Sequence, residues 1–296
     1  MNERNSVSQS EANGAAQARM PGASTPASVS AGRAVGELLR AWRQRRHLSQ
    51  LDLACAADVS ARHMSFLETG RSQPSREMLL RLAERLAIPL RERNPLLLSA
   101  GYAPMFSERP LDDPALRQAR KAVDLVLAGH EPYPAIAVDR HWTLVSSNGA
   151  MRPLFSGADS GLLQPPVNVL RLGLHPRGLA PRVVNYFEWR EHVLMRLQQQ
   201  VDATADPVLA QLLSELRAYP APDGCEADSE ARQPHDYGGV VVPIRLRTQA
   251  GIMSFFGTTT VFGTPLDITL AELAIESFFP ADAATAQLLG RCGVST

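Results

Sequence analysis

Apolar positions divide the chain into two blocks with different periods. Over residues 35–46, Val35, Leu38, Leu39 and Trp42 recur at spacings of three and four while Arg40, Arg43 and Arg45 fall elsewhere, which predicts an amphipathic helix with one buried stripe. Ser49, Ser60 and Ser75 each precede a short helical pattern and suit the N-cap, where a hydroxyl accepts a bond from an otherwise unpaired amide. In the helix after Ser49, either Leu51 or Leu53 turns inward together with the small Ala54. A tight turn around Asp58 then leads into a helix over residues 61–68. There Met64 and Leu67 face the core, which turns Ala61, Arg62 and Ser65 to solvent.

From about residue 114 to 289 the pattern mixes periods. Helical stretches are predicted over residues 116–127, 183–199 and 207–218, and strand-like runs over 135–138, 142–146, 240–247 and 252–261. The last two alternate along their length and are spaced for a hairpin turning near residues 248–251. This block predicts a mixed helical and stranded domain around a small sheet. Residues 1–32 hold almost no large apolar side chain and are expected to form a disordered arm. Residues 219–239, rich in Pro, Asp, Glu and Gly, are expected to be a long surface loop.

Composition sharpens the first block more than the second. The 296 residues carry no formal net charge, but residues 33–93 contain twelve Arg, no Lys and seven acidic residues, so basic charge is concentrated in one helical segment. Cys55, Cys225 and Cys292 are widely spaced and form no CxxC pair, which argues against a zinc or dithiol site and for a reducing compartment. No apolar run approaches the ~20 residues a membrane span needs, and no secretory leader is apparent. A soluble, cytoplasmic, nucleoid-associated protein without membrane insertion is expected.

Catalytic motifs are absent: there is no GxSxG, HExxH or P-loop, and no GxGxxG after a strand. Glu188 and His192 share a helix face without a third metal ligand nearby, and no CxxCH haem attachment occurs. An enzyme, a metal site and a cofactor-bearing sensor are therefore not expected.

A short helix capped by Ser60 can lay its first turn in the major groove, where side chains reach base edges. Arg62 is the candidate for direct readout, because a guanidinium donates two bonds to guanine; Ala61 and Ser65 can meet a base edge or a thymine methyl. Gln50, at the start of the preceding helix, is placed for a phosphate, as are Arg71 and Ser72 after Gly70. An ordinary basic helical bundle would share the charge and the periodicity. His63 is expected at the helix edge and Cys55 in the core.

The run SQLDLACAADVSARHMSFLETGRSQPSREMLLRLAERLAIPL, residues 49–90, resembles the Cro and lambda-repressor type of helix-turn-helix, the XRE family. The resemblance implies an all-α, five-helix DNA-binding domain whose DNA face includes Gln50, Ser60, Ala61, Arg62 and Ser65. The wider chain resembles the MmyB-like regulators, through ERNPLLLSAGYAP (92–104), AVDRHWTLVSSNGAMRPLF (137–155), NVLRLGLHPRGLAPRVVNYFEWREHVLMRLQQQ (168–200) and SFFGTTTVFGTPLDITLAELAIESFFPAD (254–282). That resemblance implies a multidomain chain: an XRE-type head with its hinge over 33–106, then an α+β, PAS-like domain with an antiparallel sheet over 107–296. It implies a transcription regulator that binds a double-stranded DNA operator as a homodimer and takes a small apolar effector, a fatty acid-like molecule foremost. Trp142, Phe155, Trp189, Met195 and Phe255 either wall its pocket or fill a core. Asn148, His175, Arg177, Arg182 and His192 either meet its polar end or serve loops and caps. In the alternative reading the second domain binds no ligand and mediates only dimerisation or protein contacts.

Overall fold

The computed structural model describes residues 26–223, 242–263 and 265–292, with residues 26–33 and 291–292 described by backbone alone. The first five helices are α1 (Pro26–Arg45), α2 (Gln50–Ala56), α3 (Ala61–Glu68), α4 (Arg76–Arg85) and α5 (Leu90–Ser99). Ser49, Ser60 and Ser75 cap α2, α3 and α4, accepting from the amides of Asp52, His63 and Met78. At Ser49 the cap is reciprocal, since the Asp52 carboxylate accepts the Ser49 amide in return. Asp58 adopts φ 56° in the turn between α2 and α3, a left-handed conformation that Asp tolerates better than most residues.

The head closes around Val35, Leu39, Leu53, Met64, Leu67, Leu79, Leu82, Leu86 and Leu97, all at 0% exposure. Leu53 is thus the inward residue of α2, and Leu51 stands 61% exposed. Gly36 permits the tightest approach: a Cβ there would lie 2.4 Å from the Leu67 carbonyl oxygen and 2.7 Å from that of Glu68. The backbone of α1 therefore rests directly on the end of α3.

Beyond the head come α6 (Arg117–Gly129), β1 (Ala135–Val138), β2 (Leu144–Ser147) and α7 (Arg152–Phe155). They are followed by α8 (Val169–Leu174), α9 (Tyr186–Thr204) and α10 (Pro207–Ala218). Next are β3 (Ile244–Thr248), β4 (Gly251–Val261), α11 (Ile268–Ala271), β5 (Ala274–Pro280) and α12 (Ala283–Cys292). The five strands form one antiparallel sheet in the order β2-β1-β5-β4-β3. All four residues of β1 are buried, because the sheet is covered on both faces. Ala135 and Ala137 meet Val123 and Leu127 of α6, while Ile136 and Val138 join the larger core with Tyr186 and Leu197 of α9 and Leu213 of α10. The chain is a helical head followed by an α+β, PAS-like domain.

Several sequence expectations are corrected. Residues 26–32, assigned to the arm, are helical: α1 begins at Pro26, whose ring pre-sets φ for a first turn, and continues through Ala27, Ala31 and Ala34. The rest of the expected arm, and most of the expected loop at 219–239, lie outside the described residues. So do Val240 and Val241 of the expected third strand, and Cys225. Strand β5 was not anticipated; AIESFFP is short and apolar with a single charge, and it becomes a strand by pairing with both β1 and β4. Cys55 is exposed rather than in the core, because Leu53, Ala54 and Ala57 are the residues that α2 turns inward.

Candidate DNA-reading face and effector cavity

Helix α3 is fixed from beneath by Met64 and Leu67 and presents its other side to solvent. Ser60, Ala61, Arg62 and Arg71 are exposed, and Ser65 and Ser72 are half-buried. The half-buried Phe66 brings two of these groups together. The Arg62 guanidinium lies 5.3 Å from its ring centroid and that of Arg71 lies 6.0 Å away, both within cation–π range. The Phe66 carbonyl also accepts the amides of Arg71 at 2.8 Å and Ser72 at 3.1 Å, folding the exit turn back onto α3. Phe66 was missed in the sequence, although its i, i+4 spacing from Arg62 was visible.

Gln50 has a partner inside the head. Its Nε2 donates to Glu68 Oε2 at 2.8 Å, and Glu68 also accepts Arg43 Nε at 2.6 Å and Nη2 at 3.0 Å. The buried Glu68 thereby joins α1, α2 and α3 through three charge-assisted bonds, and its hydrogen bond holds the Arg43 guanidinium above its ordinary range. The bond to Glu68 uses one of the two Nε2 hydrogens of Gln50, which leaves the second to donate to a phosphate. His63 sits at the helix edge as expected, its Nε2 3.4 Å from Met78 Sδ.

Between the sheet and helices α7 to α9 lies a cavity of ≈310 Å³. Trp142, Phe155, Trp189, His192 and Phe255 all line it, so five of the ten candidate ligand residues converge on one space. Leu154, Leu170, Leu172, Val193, Leu246 and Phe278 complete most of an apolar wall. Gly173 leaves room for Trp189, since a Cβ there would lie 2.8 Å from Trp189 Cη2. Asn148 does not reach the cavity. Its amide accepts from the Ala135 nitrogen and donates to the carbonyls of Tyr133 and Leu127, tying β1 to the end of α6, so its role is backbone satisfaction.

The remaining polar candidates also serve structure. Arg177 pairs with Asp159, Arg182 donates to the Leu154 carbonyl, and His175 packs edge-on against Tyr219. Met195 faces outward at 53% exposure, since its neighbours Val193 and Leu197 take the inward positions on α9.

One end of the cavity is polar, and its two charged residues were not anticipated. Arg196 donates to Glu276 at 2.6 and 3.1 Å and to Thr259 at 2.6 Å, and Thr259 donates in turn to Glu276 at 2.9 Å. The Arg196 guanidinium also lies 4.9 Å from the Trp142 ring centroid. Burial pushes the His192 imidazole below its ordinary range, the Arg196 charge adds to this, and Glu188 opposes it. Trp142, Arg196 and Glu276 also border a second, larger cleft of ≈650 Å³ that the head closes with Pro89, Arg91 and Glu92.

Two contacts fasten the head beside this cleft. Arg46 Nη2 of the turn after α1 donates to the Ala203 carbonyl of α9 at 3.0 Å. Arg91 of α5 holds Glu272 at 2.8 and 2.9 Å and Glu108 at 2.6 Å. Helix α9 therefore runs from the cavity wall, at Trp189, His192 and Arg196, to the head. Among the described residues no helix is long and apolar enough to cross a membrane.

Comparison with known proteins places both halves. A helix-turn-helix domain profile matches residues 34–96, and the profile described as the MmyB-like transcription regulator ligand binding domain matches residues 119–291. No curated protein matches. Two crystal structures of the clp gene regulator ClgR from Corynebacterium glutamicum are similar to part of this chain. One is 30% identical over 24% of this chain and 88% of that one, the other 26% identical over 34% and 95%, both with a TM-score of 0.22. An RNA-binding light-oxygen-voltage receptor is 13% identical over 90% of this chain and 64% of that one, with a TM-score of 0.21. With the ligand-binding match covering more than half of its length behind a helix-turn-helix head, the chain belongs to the MmyB-like transcription regulators, which bind DNA.

Proposed function

We propose that residues 33–106 read a double-stranded operator through α3, and that residues 107–296 bind a small apolar effector and join two protomers into a homodimer. Arg62 contacts guanine in the major groove, with Ala61 and Ser65 beside it and Ser60 on the same face; Gln50, Arg71 and Ser72 hold the phosphates. Two heads meet two half-sites about one helical turn apart. The protein works in the cytoplasm, on the nucleoid.

The observation that carries this reading is the pairing of an outward α3 face with an apolar cavity, linked by α9. Five large or polar side chains converge on a space of ≈310 Å³, within the usual size of small-molecule sites. An aliphatic, fatty acid-like molecule suits its walls. Effector binding shifts the heads only as far as it favours one placement of α9 over another, and the Arg46 and Arg91 contacts are where such a shift reaches the head.

Gel shifts of the full chain on the duplex upstream of its own gene test the DNA half. Arg62→Ala should lower sequence preference by about 1 to 3 kcal/mol, whereas Arg71→Ala should weaken all duplexes alike and flatten the salt dependence. Parental binding by both variants would reject this face. Native mass spectrometry of the purified protein tests the effector half. If it carries no small molecule and aliphatic ligands leave its melting unchanged, the domain serves only as a dimerisation or protein-binding module.

A further inference from the structure

Several arginines of the head spend their donors inside the protein. Arg43 bonds Glu68 and the Leu48 carbonyl, Arg46 the carbonyls of Leu86 and Ala87, Arg91 Glu272, and Arg93 the Ile88 carbonyl. Arg62 and Arg71 differ. Among the described residues neither guanidinium donates to a carboxylate or a carbonyl, and each lies over the ring of Phe66, at 5.3 and 6.0 Å from its centroid. Phe66 is unusual in its own way. Its half-buried ring joins none of the apolar clusters among the described residues, whereas Met64 and Leu67 on either side are fully buried in the core of the head.

Local geometry explains how both cations arrive at one ring. Arg62 stands four residues before Phe66, one turn earlier on the same face of α3. Arg71 returns through the exit of the helix. Gly70 takes φ 70°, its amide donates to the Leu67 carbonyl at 3.2 Å, and the Arg71 amide donates to the Phe66 carbonyl at 2.8 Å. This is a Schellman ending, in which the residue two past the cap commonly makes an apolar contact with the residue three before it. Here those two residues are Arg71 and Phe66, so a cation takes the place of the apolar partner.

We propose that Phe66 is a positioning residue for DNA recognition, whose ring orients the base-reading Arg62 and the phosphate-holding Arg71 together. This rests on reading α3 as the DNA-facing helix and adds a residue that acts through two others. A carboxylate could also hold a guanidinium still, but it would occupy the N–H fork and cancel the charge. A ring takes the face of the guanidinium and leaves the five N–H donors of its edge to base and phosphate. It also leaves the positive charge that a phosphate requires. An arginine already lying on a ring loses less rotamer freedom when it docks than one that swings in solvent.

The test uses the full chain, a duplex it selects from a random pool, and a scrambled duplex of the same composition. Phe66→Leu removes the ring face from both arginines. Because Arg71 serves every sequence and Arg62 serves the selected one, affinity should fall about three-fold on the scrambled duplex and about ten-fold on the selected duplex. Phe66→Tyr keeps the aromatic face and should stay within about two-fold of the parent on both. Parental binding by Phe66→Leu overturns the proposal, and so does an equal loss in Phe66→Tyr, which would mean that the ring face is not what matters. A measurement on the parent protein stands even if Phe66→Leu does not fold: the side-chain protons of Arg62 and Arg71 should show ring-current shifts in NMR spectra, and random-coil values for both overturn the proposal. Arg62→Ala separates the two levels. If it keeps the parental preference for the selected duplex, the reading of α3 fails and the role of Phe66 falls with it; if it loses that preference while Phe66→Leu keeps it, the role of Phe66 alone is rejected.

Discussion

The head and the effector domain use the same apolar residue types to opposite ends. In the head nine large side chains reach 0% exposure, and the working groups, Arg62 and Arg71, stand outside on a filled interior. In the effector domain the working groups point inward. Trp142, Leu154 and Leu170 keep 7 to 9% exposure because one side of each borders a void. A filled core fixes outward side chains by leaving what supports them no room to move. A core with a hole gives up some of that rigidity and gains a receptor. The two halves should therefore answer differently to the same kind of damage.

The largest effect expected is at Leu67. Leu67→Ala removes a fully buried side chain beneath α3 and should cost the head about 2 to 5 kcal/mol, whereas Phe155→Ala, at a wall already open on one side, should cost less than about half of that. Urea melts of the full chain with domain-specific probes decide it, and equal costs would break the comparison. Ser60→Ala comes next. Losing the α3 cap should destabilise the head by about 1 kcal/mol and weaken DNA binding, with the binding of aliphatic ligands to the cavity unchanged. Smallest in stability, and most selective, is Gly173→Ala. Its Cβ displaces the Trp189 ring, shifting stability by no more than about 1 kcal/mol while lowering ligand affinity several-fold and leaving gel shifts untouched. A loss of DNA binding without ligand in this variant would show that the two halves are not separable.

The head was the more legible half because its determinants are local. Three serines, each next to the helix it caps, and the three-residue spacing of Met64 and Leu67 identify α2 to α4 and the outward side of α3. What escaped was long-range. The part of Glu68 depends on Arg43, twenty-five residues away, and on Gln50, eighteen away. In the effector domain, size and family pattern picked out Trp142, Phe155, Trp189, His192 and Phe255. Pattern alone could not separate Asn148, which satisfies backbone groups, from a residue that meets a ligand. Glu276 was invisible because its strand was. β5 owes its extended form to neighbours more than a hundred residues earlier in β1 and others well before it in β4, and a lone acid in an apolar run gives no hint that Arg196 lies opposite.

Gly36 gives the recognition element a backstop made of peptide groups. Side chains behind a helix can change rotamer and let it rock; two main-chain segments in contact have no such give. The angle at which α3 meets a duplex is thus fixed with the stiffness of the backbone. Drift in operator choice during evolution would then come through exchange of the side chains that touch DNA, with the helix axis held constant.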